Sequence, residues 1–190
     1  MMVLIIGGSG SGKSAYAEEY ITTLSKNWQK YYLATMQVFD QEGQVKIERH
    51  QRMREGKGFW TIEQPLEIEG ALEKIRLAER RIEKKQKIVQ RTALLECMSN
   101  LVANEMFSGE EIKDSDTITE KITQGIEQLR DGLQHLVIVT NNVFEDGIIY
   151  DAMTMEYIRV MGRINEKLAV MADKVIEVVV GIPVIMKEGK

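Results

Sequence analysis

Near its N-terminus the chain reads Gly7-Gly8-Ser9-Gly10-Ser11-Gly12-Lys13-Ser14. This stretch fits the pattern G-x-x-x-x-G-K-[ST], in which glycines let backbone N–H groups converge on phosphate oxygens. Lys13 adds a positive charge for the β- and γ-phosphates, and the Ser14 hydroxyl can bind Mg²⁺. The apolar residues 2–6 before it predict a buried strand, and residues 14–24 after it predict a helix. The stretch therefore predicts a nucleotide-binding loop in an α/β fold.

Strand and helix signals alternate along most of the chain, which is typical of α/β proteins with a mainly parallel sheet. Apolar runs predict strands at residues 2–6, 31–34, 88–95, 136–140 and 174–180. Helical signals predict helices at residues 14–24, 44–54, 65–84, 97–107, 118–133 and 155–171. Residues 108–117 and 141–151 are predicted to be loops. Because the sequence has no repeat and no linker, we expect one domain over residues 1–190.

The composition argues against several classes of protein. With 25 basic and 29 acidic side chains the formal net charge is −4, so nucleic acid is not expected as the main partner. No apolar run approaches the roughly 20 residues that span a bilayer, and the start of the chain does not resemble a secretory signal. Cys97, His50 and His135 do not have zinc-ligand spacing. We therefore expect a cytoplasmic protein that binds small molecules.

Several short strings follow the loop in a characteristic order. They are Ala34-Thr35, Lys46-Ile47-Glu48-Arg49-His50, Thr61-Ile62-Glu63, Leu95-Glu96-Cys97, Val139-Thr140-Asn141 and Gly162-Arg163-Ile164-Asn165. With the phosphate loop, this series resembles the adenosylcobinamide kinase/adenosylcobinamide-phosphate guanylyltransferase family, the bifunctional enzymes of cobalamin nucleotide-loop assembly. The resemblance covers nearly the whole chain, and the combination of strings is much more specific than the loop alone.

The resemblance implies both a fold and an activity. The fold is a three-layer P-loop NTPase fold of the RecA-like type, and the implied assembly is a homotrimer. The implied enzyme uses ATP or GTP with Mg²⁺ to phosphorylate the corrinoid adenosylcobinamide. It then transfers GMP from GTP to that phosphate and yields adenosylcobinamide-GDP. His50 stands at the position of the family's nucleophile, which carries GMP covalently between the two substrates.

The chemistry of histidine suits this role independently of the resemblance. With an ordinary pKa of about 6.5, most imidazole is neutral at pH 7 and has a free lone pair on one ring nitrogen. The neighbouring Arg49, Arg52 and Arg54 favour the neutral ring and can hold triphosphate oxygens. The alternative interpretation is that His50 is one polar residue on a solvated basic helix.

Further site residues are implied by the resemblance. Lys13 and His50 are the catalytic candidates, and the predicted nucleotide-binding residues beyond the loop are Ala34, Thr35, Met36, Gln51, Arg52, Met53, Arg54, Glu63 and Glu96. Glu63 corresponds to a glutamate that contacts guanosine. Glu96 ends a predicted strand, where its carboxylate could accept from ribose hydroxyls or hold Mg²⁺ through water.

One departure from the family pattern leaves other functions open. The family continues Thr-Asn with Glu-Val-Gly, whereas this chain has Asn142 at the glutamate position, and Glu145 or Asp146 could take its place. One alternative function is a P-loop kinase of another small hydroxylated metabolite, in which His50 only neutralises phosphate charge. Another is a non-catalytic nucleotide-binding protein.

Overall fold

A computed structural model of the chain describes residues 1–25, 28–37, 52, 56–82, 90–109, 114–142 and 147–189. The strands in these ranges are β1 (Met2–Gly7), β2 (Gln29–Ala34), β3 (Phe59–Glu63), β4 (Arg91–Glu96), β5 (His135–Asn141), β6 (Lys174–Val179) and β7 (Ile182–Glu188). The helices are α1 (Lys13–Leu24), α2 (Ala71–Ile82), α3 (Met98–Phe107), α4 (Ser115–Gly132) and α5 (Ala152–Met171). None of these helices is long and apolar enough to cross a bilayer.

The described strands form one seven-stranded sheet in the order β3-β2-β4-β5-β1-β6-β7. Strand β1 pairs in parallel with β5 and β6, and β4 pairs in parallel with β2 and β5. Strand β3 adds to β2 in parallel, whereas β7 adds to β6 antiparallel. The carboxyl ends of the parallel strands therefore meet at one edge, where open α/β sheets bind their ligands. The predicted mainly parallel α/β sheet is confirmed.

Both faces of β1 are buried, because its successive side chains point to opposite sides of the sheet. Met2 and Leu4 pack in a core cluster with residues of α2, α3, α4 and α5. Val3 and Ile5 pack in a second cluster on the other face, with Ala17 of α1. The sheet thus has helices α2 to α5 packed on one face and α1 packed on the other, in keeping with the three layers that the resemblance implies. Burial on both faces holds the end of β1, and with it the phosphate loop, in a fixed position.

Strands β3 and β7 are absent from the predicted elements. Strand β3 lies at the sheet edge with only Ile62 of its residues buried, so its apolar pattern is weak. Strand β7 follows β6 after the two-residue turn Val180–Gly181. Two-residue hairpins usually carry Asn-Gly or Asp-Gly at this turn, and their absence removes the sequence signal.

Two helices begin earlier than predicted because aspartates cap them. Helix α4 begins at Ser115, inside the predicted loop 108–117. The Asp114 carboxylate accepts a hydrogen bond from the backbone N–H of Thr117 at 3.0 Å and satisfies the helix terminus. Asp151 caps α5 in the same way, within the other predicted loop.

The helix predicted from residue 65 begins only at Ala71, as α2. Gln64 holds residues 65–67 in a turn, since its Nε2 donates to Leu66 O at 2.5 Å and to Glu67 O at 2.9 Å. The short 3₁₀ helix Ile68–Gly70 then leads into α2. The helix predicted at residues 44–54 lies outside the described residues except for Arg52, which is helical.

Candidate nucleotide site

The phosphate loop turns between β1 and α1 and closes on its own backbone. Ser11 N donates to Gly8 O at 3.2 Å, and Lys13 Nζ donates to the same oxygen at 3.1 Å. Gly10 and Gly12 have φ of 72° and 89°, a region that glycine enters without steric cost. Lys13 is 8% exposed, so its ammonium lies inside the loop. All residues predicted for the loop are brought together in this turn and at the start of α1.

The Ser14 hydroxyl links the phosphate loop to the end of β4. Its Oγ donates to Glu96 Oε1 at 2.8 Å. A hydroxyl and a carboxylate are oxygen ligands of the kind that Mg²⁺ prefers, and Mg²⁺ usually completes its octahedron with water and substrate phosphates. The described ranges contain no group of three or more His, Cys, Asp or Glu that could hold a metal ion. A hydroxyl and carboxylate pair of this kind suits Mg²⁺ whose remaining ligands are water and nucleotide phosphates.

Hydrogen bonds of Thr35 link the end of β2 to the end of β4. Its Oγ1 accepts from Cys97 N and donates to Cys97 O, both at 2.8 Å. Its backbone N donates to Glu96 O at 3.2 Å. The buried Thr35 side chain therefore positions the backbone beside the Glu96 carboxylate. The flanking Ala34 and Met36 are half-buried at the same edge, and their contact with nucleotide stays a prediction.

A polar network at the ends of β4 and β5 is missing from the predicted site. Asn141 Nδ2 donates to Ser99 Oγ at 2.7 Å, and Cys97 Sγ lies 2.9 Å from the same oxygen. Tyr157 OH donates to Ser99 O at 3.1 Å, and Asn165 Nδ2 donates to Asn141 O at 3.3 Å. Burial raises the pKa of Cys97, and it raises the pKa of Tyr157 to about 12. Both groups are therefore neutral at physiological pH.

One sequence signal could have found part of this network. Cys97, Asn141 and Asn165 all lie in the strings that carry the family resemblance. Ser99 lies in none of these strings. It contacts Asn141 because α3 begins at Met98 and its first turn lies beside the end of β5. Because buried polar groups need hydrogen-bond partners, the members of this hydrogen-bonded network are held in fixed positions.

Glu63 lies farther along the same edge. In the strand register Ala34 is the partner of Glu63 on one side and of Glu96 on the other. Two strand spacings of about 4.8 Å put the backbones of the two glutamates roughly 10 Å apart. Glu63 is exposed, and its predicted contact with guanosine stays a prediction.

The predicted nucleophile His50 lies outside the described residues, together with Gln51, Met53 and Arg54; Arg52 is exposed. The chain that follows is anchored to α1. Lys57 Nζ lies 2.5 Å from Glu18 Oε2, and Glu18 is 1% exposed. A buried carboxylate without a partner costs several kcal/mol, so this pair fixes the chain shortly after His50 against the helix that starts at the phosphate loop.

Known proteins resemble this chain over almost its full length. A sequence model of the family described as cobinamide kinase / cobinamide phosphate guanyltransferase matches residues 3–186. Two relatives carry the name bifunctional adenosylcobalamin biosynthesis protein CobU. The one from Escherichia coli strain K12 is 32% identical, with 98% of this chain and 100% of the relative covered. The one from Salmonella typhimurium strain LT2 is 31% identical, with the same shares covered.

Comparison with solved structures supports the fold assignment. The structure of an ATPase domain matches with a TM-score of 0.53 and 13% identity, over 93% of this chain and 68% of that chain. This likeness concerns the fold alone and confirms the predicted P-loop NTPase fold. The family match confirms the resemblance seen in the motifs: this chain belongs to the cobinamide kinase / cobinamide phosphate guanyltransferase family.

Proposed function

We propose that this protein phosphorylates the aminopropanol hydroxyl of adenosylcobinamide and then transfers GMP from GTP to the new phosphate, giving adenosylcobinamide-GDP. The observation that carries the proposal is the 2.8 Å contact between Ser14 of the phosphate loop and Glu96. The family match supplies the substrate class. A hydroxyl and a carboxylate beside a phosphate cradle suit Mg²⁺-dependent phosphoryl transfer, in which catalysis is mostly positioning and charge stabilisation.

In the kinase step, the residues of the chain position the triphosphate and spread its charge. Loop N–H groups bind phosphate oxygens, and Lys13 Nζ exchanges Gly8 O for the β- and γ-phosphates. Ser14 and Glu96 are the residues that would hold Mg²⁺, which would supply positive charge to stabilise the phosphates. The substrate oxygen forms a bond to the γ-phosphorus as the bond to the leaving nucleoside diphosphate breaks, and the hydroxyl proton is released to solvent.

In the transfer step, His50 acts as the nucleophile. A neutral imidazole nitrogen forms a bond to the α-phosphorus of GTP, and pyrophosphate leaves with the electrons of the broken P–O bond. A phosphate oxygen of the corrinoid substrate then attacks the same phosphorus, and the P–N bond breaks. The adjacent arginines stabilise charge on the phosphates. The anchor formed by Lys57 and Glu18 supports this role, because it ties the chain after His50 to α1.

The transfer step is tested with GTP labelled at the α-phosphorus. We expect protein-bound label that is labile in acid and stable in alkali, and that disappears in His50→Ala. The matched control is His135→Ala. His135 is the other histidine of the chain and begins β5, whose far end, Asn141, lies beside the phosphate loop. Label that persists in His50→Ala would rule out the covalent step at this residue.

The kinase step is tested with γ-labelled nucleotide and adenosylcobinamide. Transfer of label to the corrinoid is expected in wild type and in His50→Asn, since this step does not use the imidazole. Label that reaches another hydroxylated metabolite instead would favour the alternative kinase. Nucleotide binding without transfer of either label would favour a non-catalytic binding protein.

The proposal includes a cytoplasmic homotrimer. Strand β7 supports self-assembly, because every one of its residues is exposed although most are apolar. Ile182, Ile185 and Met186 are 62%, 54% and 62% exposed, and apolar patches of this kind mark interfaces between proteins. Sedimentation analysis of Ile185→Lys should give monomers, whereas Leu77→Lys, at an exposed apolar position on α2, should remain trimeric. A monomeric wild type would contradict the assembly without affecting the proposed chemistry.

A further inference from the structure

A buried carboxylate on α1 lies close to the phosphate loop. Glu18 is 1% exposed, and it follows Ser14 by four residues on the same helix. Side chains at this spacing are neighbours on one helix face, with Cβ atoms about 5–6 Å apart. Ser14 contacts Glu96, so Glu18 lies one helical turn from the residues proposed to hold Mg²⁺. Neither step of the proposed reaction uses the Glu18 carboxylate.

The partner of Glu18 belongs to the turn that leads into β3. Lys57 Nζ lies 2.5 Å from Glu18 Oε2. Gly56 and Gly58, on either side of Lys57, have φ of 78° and 73°, a region that glycine enters without steric cost. A Cβ added at Gly58 would lie 3.9 Å from Lys30 Nζ of β2. The turn therefore adjoins β2 and directs its ammonium to α1.

The covalent chain ties this turn to the proposed nucleophile. Six residues separate His50 from Lys57, and a chain of that length spans at most about 25 Å. Strands β2 and β3 are parallel, so the connection between them has to return to the amino end of the sheet. Because Lys57 comes at the end of this connection, its contact with α1 limits how far from the phosphate loop the chain that carries His50 can lie.

Stability alone does not explain an ion pair at this place. The side chains of Lys57 and Glu18 are 35% and 2% exposed. Taking a carboxylate out of water is costly, and two apolar side chains of similar volume are often as stable as a buried ion pair or more stable. A buried carboxylate without its cation is strongly unfavourable, however, so the pair specifies which two groups meet. The pair therefore fixes a position more than it adds stability.

We propose that Glu18 is a positioning residue for the transfer of GMP. Through its ion pair with Lys57, it holds the chain that carries His50 where the imidazole reaches the α-phosphorus of GTP. The kinase step uses no histidine, so the pair matters for only one of the two proposed steps. This inference rests on the proposed function, because it takes His50 to be the nucleophile.

The test compares the two steps in the same variants. Glu18→Gln keeps the size of the side chain but removes its charge, and Lys57→Met removes the opposite charge. At saturating GTP, each should slow the appearance of α-label on the protein roughly 100-fold, since a misplacement of about 1 Å costs a factor of that order. The rate of γ-label transfer to adenosylcobinamide and the GTP concentration for half-maximal labelling should each change less than about twofold, because the loop still holds the phosphates.

Two further variants separate positioning from folding. Glu18→Met combined with Lys57→Met replaces the ion pair by two apolar side chains. This double variant should melt no lower than wild type, but it should transfer GMP as slowly as the single variants. Lys57→Arg keeps the positive charge and should transfer GMP at nearly the wild-type rate. The matched control is Glu19→Gln, at the exposed neighbour of Glu18 on α1, which should leave both steps unchanged.

Three results would overturn the inference. They are a wild-type rate of GMP transfer in the double variant, an equal loss of the transfer and kinase rates in a variant that folds, and a loss of transfer that higher GTP concentrations restore. The first would leave the pair a structural contact, and the third would make Glu18 part of GTP binding. Failure of the proposed function is recognised separately, since a wild type that takes up no α-label disproves the covalent step itself, whatever the variants do.

Discussion

The two sides of β1 differ in the chemistry they offer at the carboxyl edge of the sheet. On the β5 and β4 side, Asn141 and Glu96 lie in a network of hydrogen bonds among half-buried polar groups. On the β6 and β7 side, Val180 and Ile182 are apolar and exposed. The difference teaches that hydrogen-bonding side chains at the end of β1 are concentrated on one side of the phosphate loop.

The largest effect is expected at Lys13, in the phosphate loop that follows β1. Lys13→Met removes the charge held inside the loop, where the side chain is 8% exposed. Hydrogen bonds to charged groups contribute about 1.5–3 kcal/mol, so GTP affinity should fall roughly 10- to 150-fold. Calorimetry with GTP and with tripolyphosphate should give the same loss, because both ligands have the phosphates that Lys13 contacts.

Its control is Lys167→Met, at an exposed position on α5. This variant has the same change in net charge and should bind GTP as wild type does. Equal triphosphate affinity in Lys13→Met and wild type would remove Lys13 from the site. The polar side of β1 would then lack its central cation.

A smaller effect is expected at Glu96, which we propose would hold Mg²⁺ together with Ser14. Glu96→Gln keeps the size of the side chain and can still accept from Ser14, but it removes the negative charge. The kinase reaction should then need roughly tenfold more Mg²⁺ for half-maximal rate, since loss of one supporting carboxylate typically weakens metal binding by that order. Titration of the rate with Mg²⁺ measures this. A kinase rate lowered equally at all Mg²⁺ concentrations would assign Glu96 to the ribose instead.

Asn141 is expected to stabilise the fold rather than to bind the nucleotide. Asn141→Ala removes the 2.7 Å hydrogen bond to Ser99 and should lower the free energy of unfolding by about 1 kcal/mol. GTP affinity should change less than about twofold, because Asn142 N still donates to Gly7 O through the backbone. Denaturant unfolding and calorimetry together measure both quantities. Gln128→Ala, exposed on α4, is the control for stability.

The phosphate loop could be predicted from the sequence, because the residues that form it are neighbours in the chain. The glycines, Lys13 and Ser14 are contiguous, and the apolar residues before them specify a strand. The β6–β7 side could not be predicted in this way. Its contact with the loop joins Gly181 to Ser11, which are far apart in the chain, and the Val-Gly turn lacks the usual hairpin signal.

The site shows the same division between local and long-range information. Glu96 could be named from a short string, and its carboxylate accepts a hydrogen bond from Ser14 of the phosphate loop. Ser99 could not be named, because its role depends on how α3 starts beside β5. A hydrogen bond between distant strand ends is a property of the sheet order, which no single string contains.

The smallest effect concerns the Cys97 thiol in the polar network. Burial, and then the charge of Glu96, raise its pKa above the ordinary value, so folding favours the protonated thiol. A group with a raised pKa in the folded state contributes stability below its unfolded pKa and loses it as the pH rises toward the folded one. The unfolding free energy of wild type should therefore fall relative to Cys97→Ser above about pH 8.5. Parallel curves from pH 7 to 10 would show instead that the thiol is not shielded from water, and the polar side of β1 would be more open than its hydrogen bonds indicate.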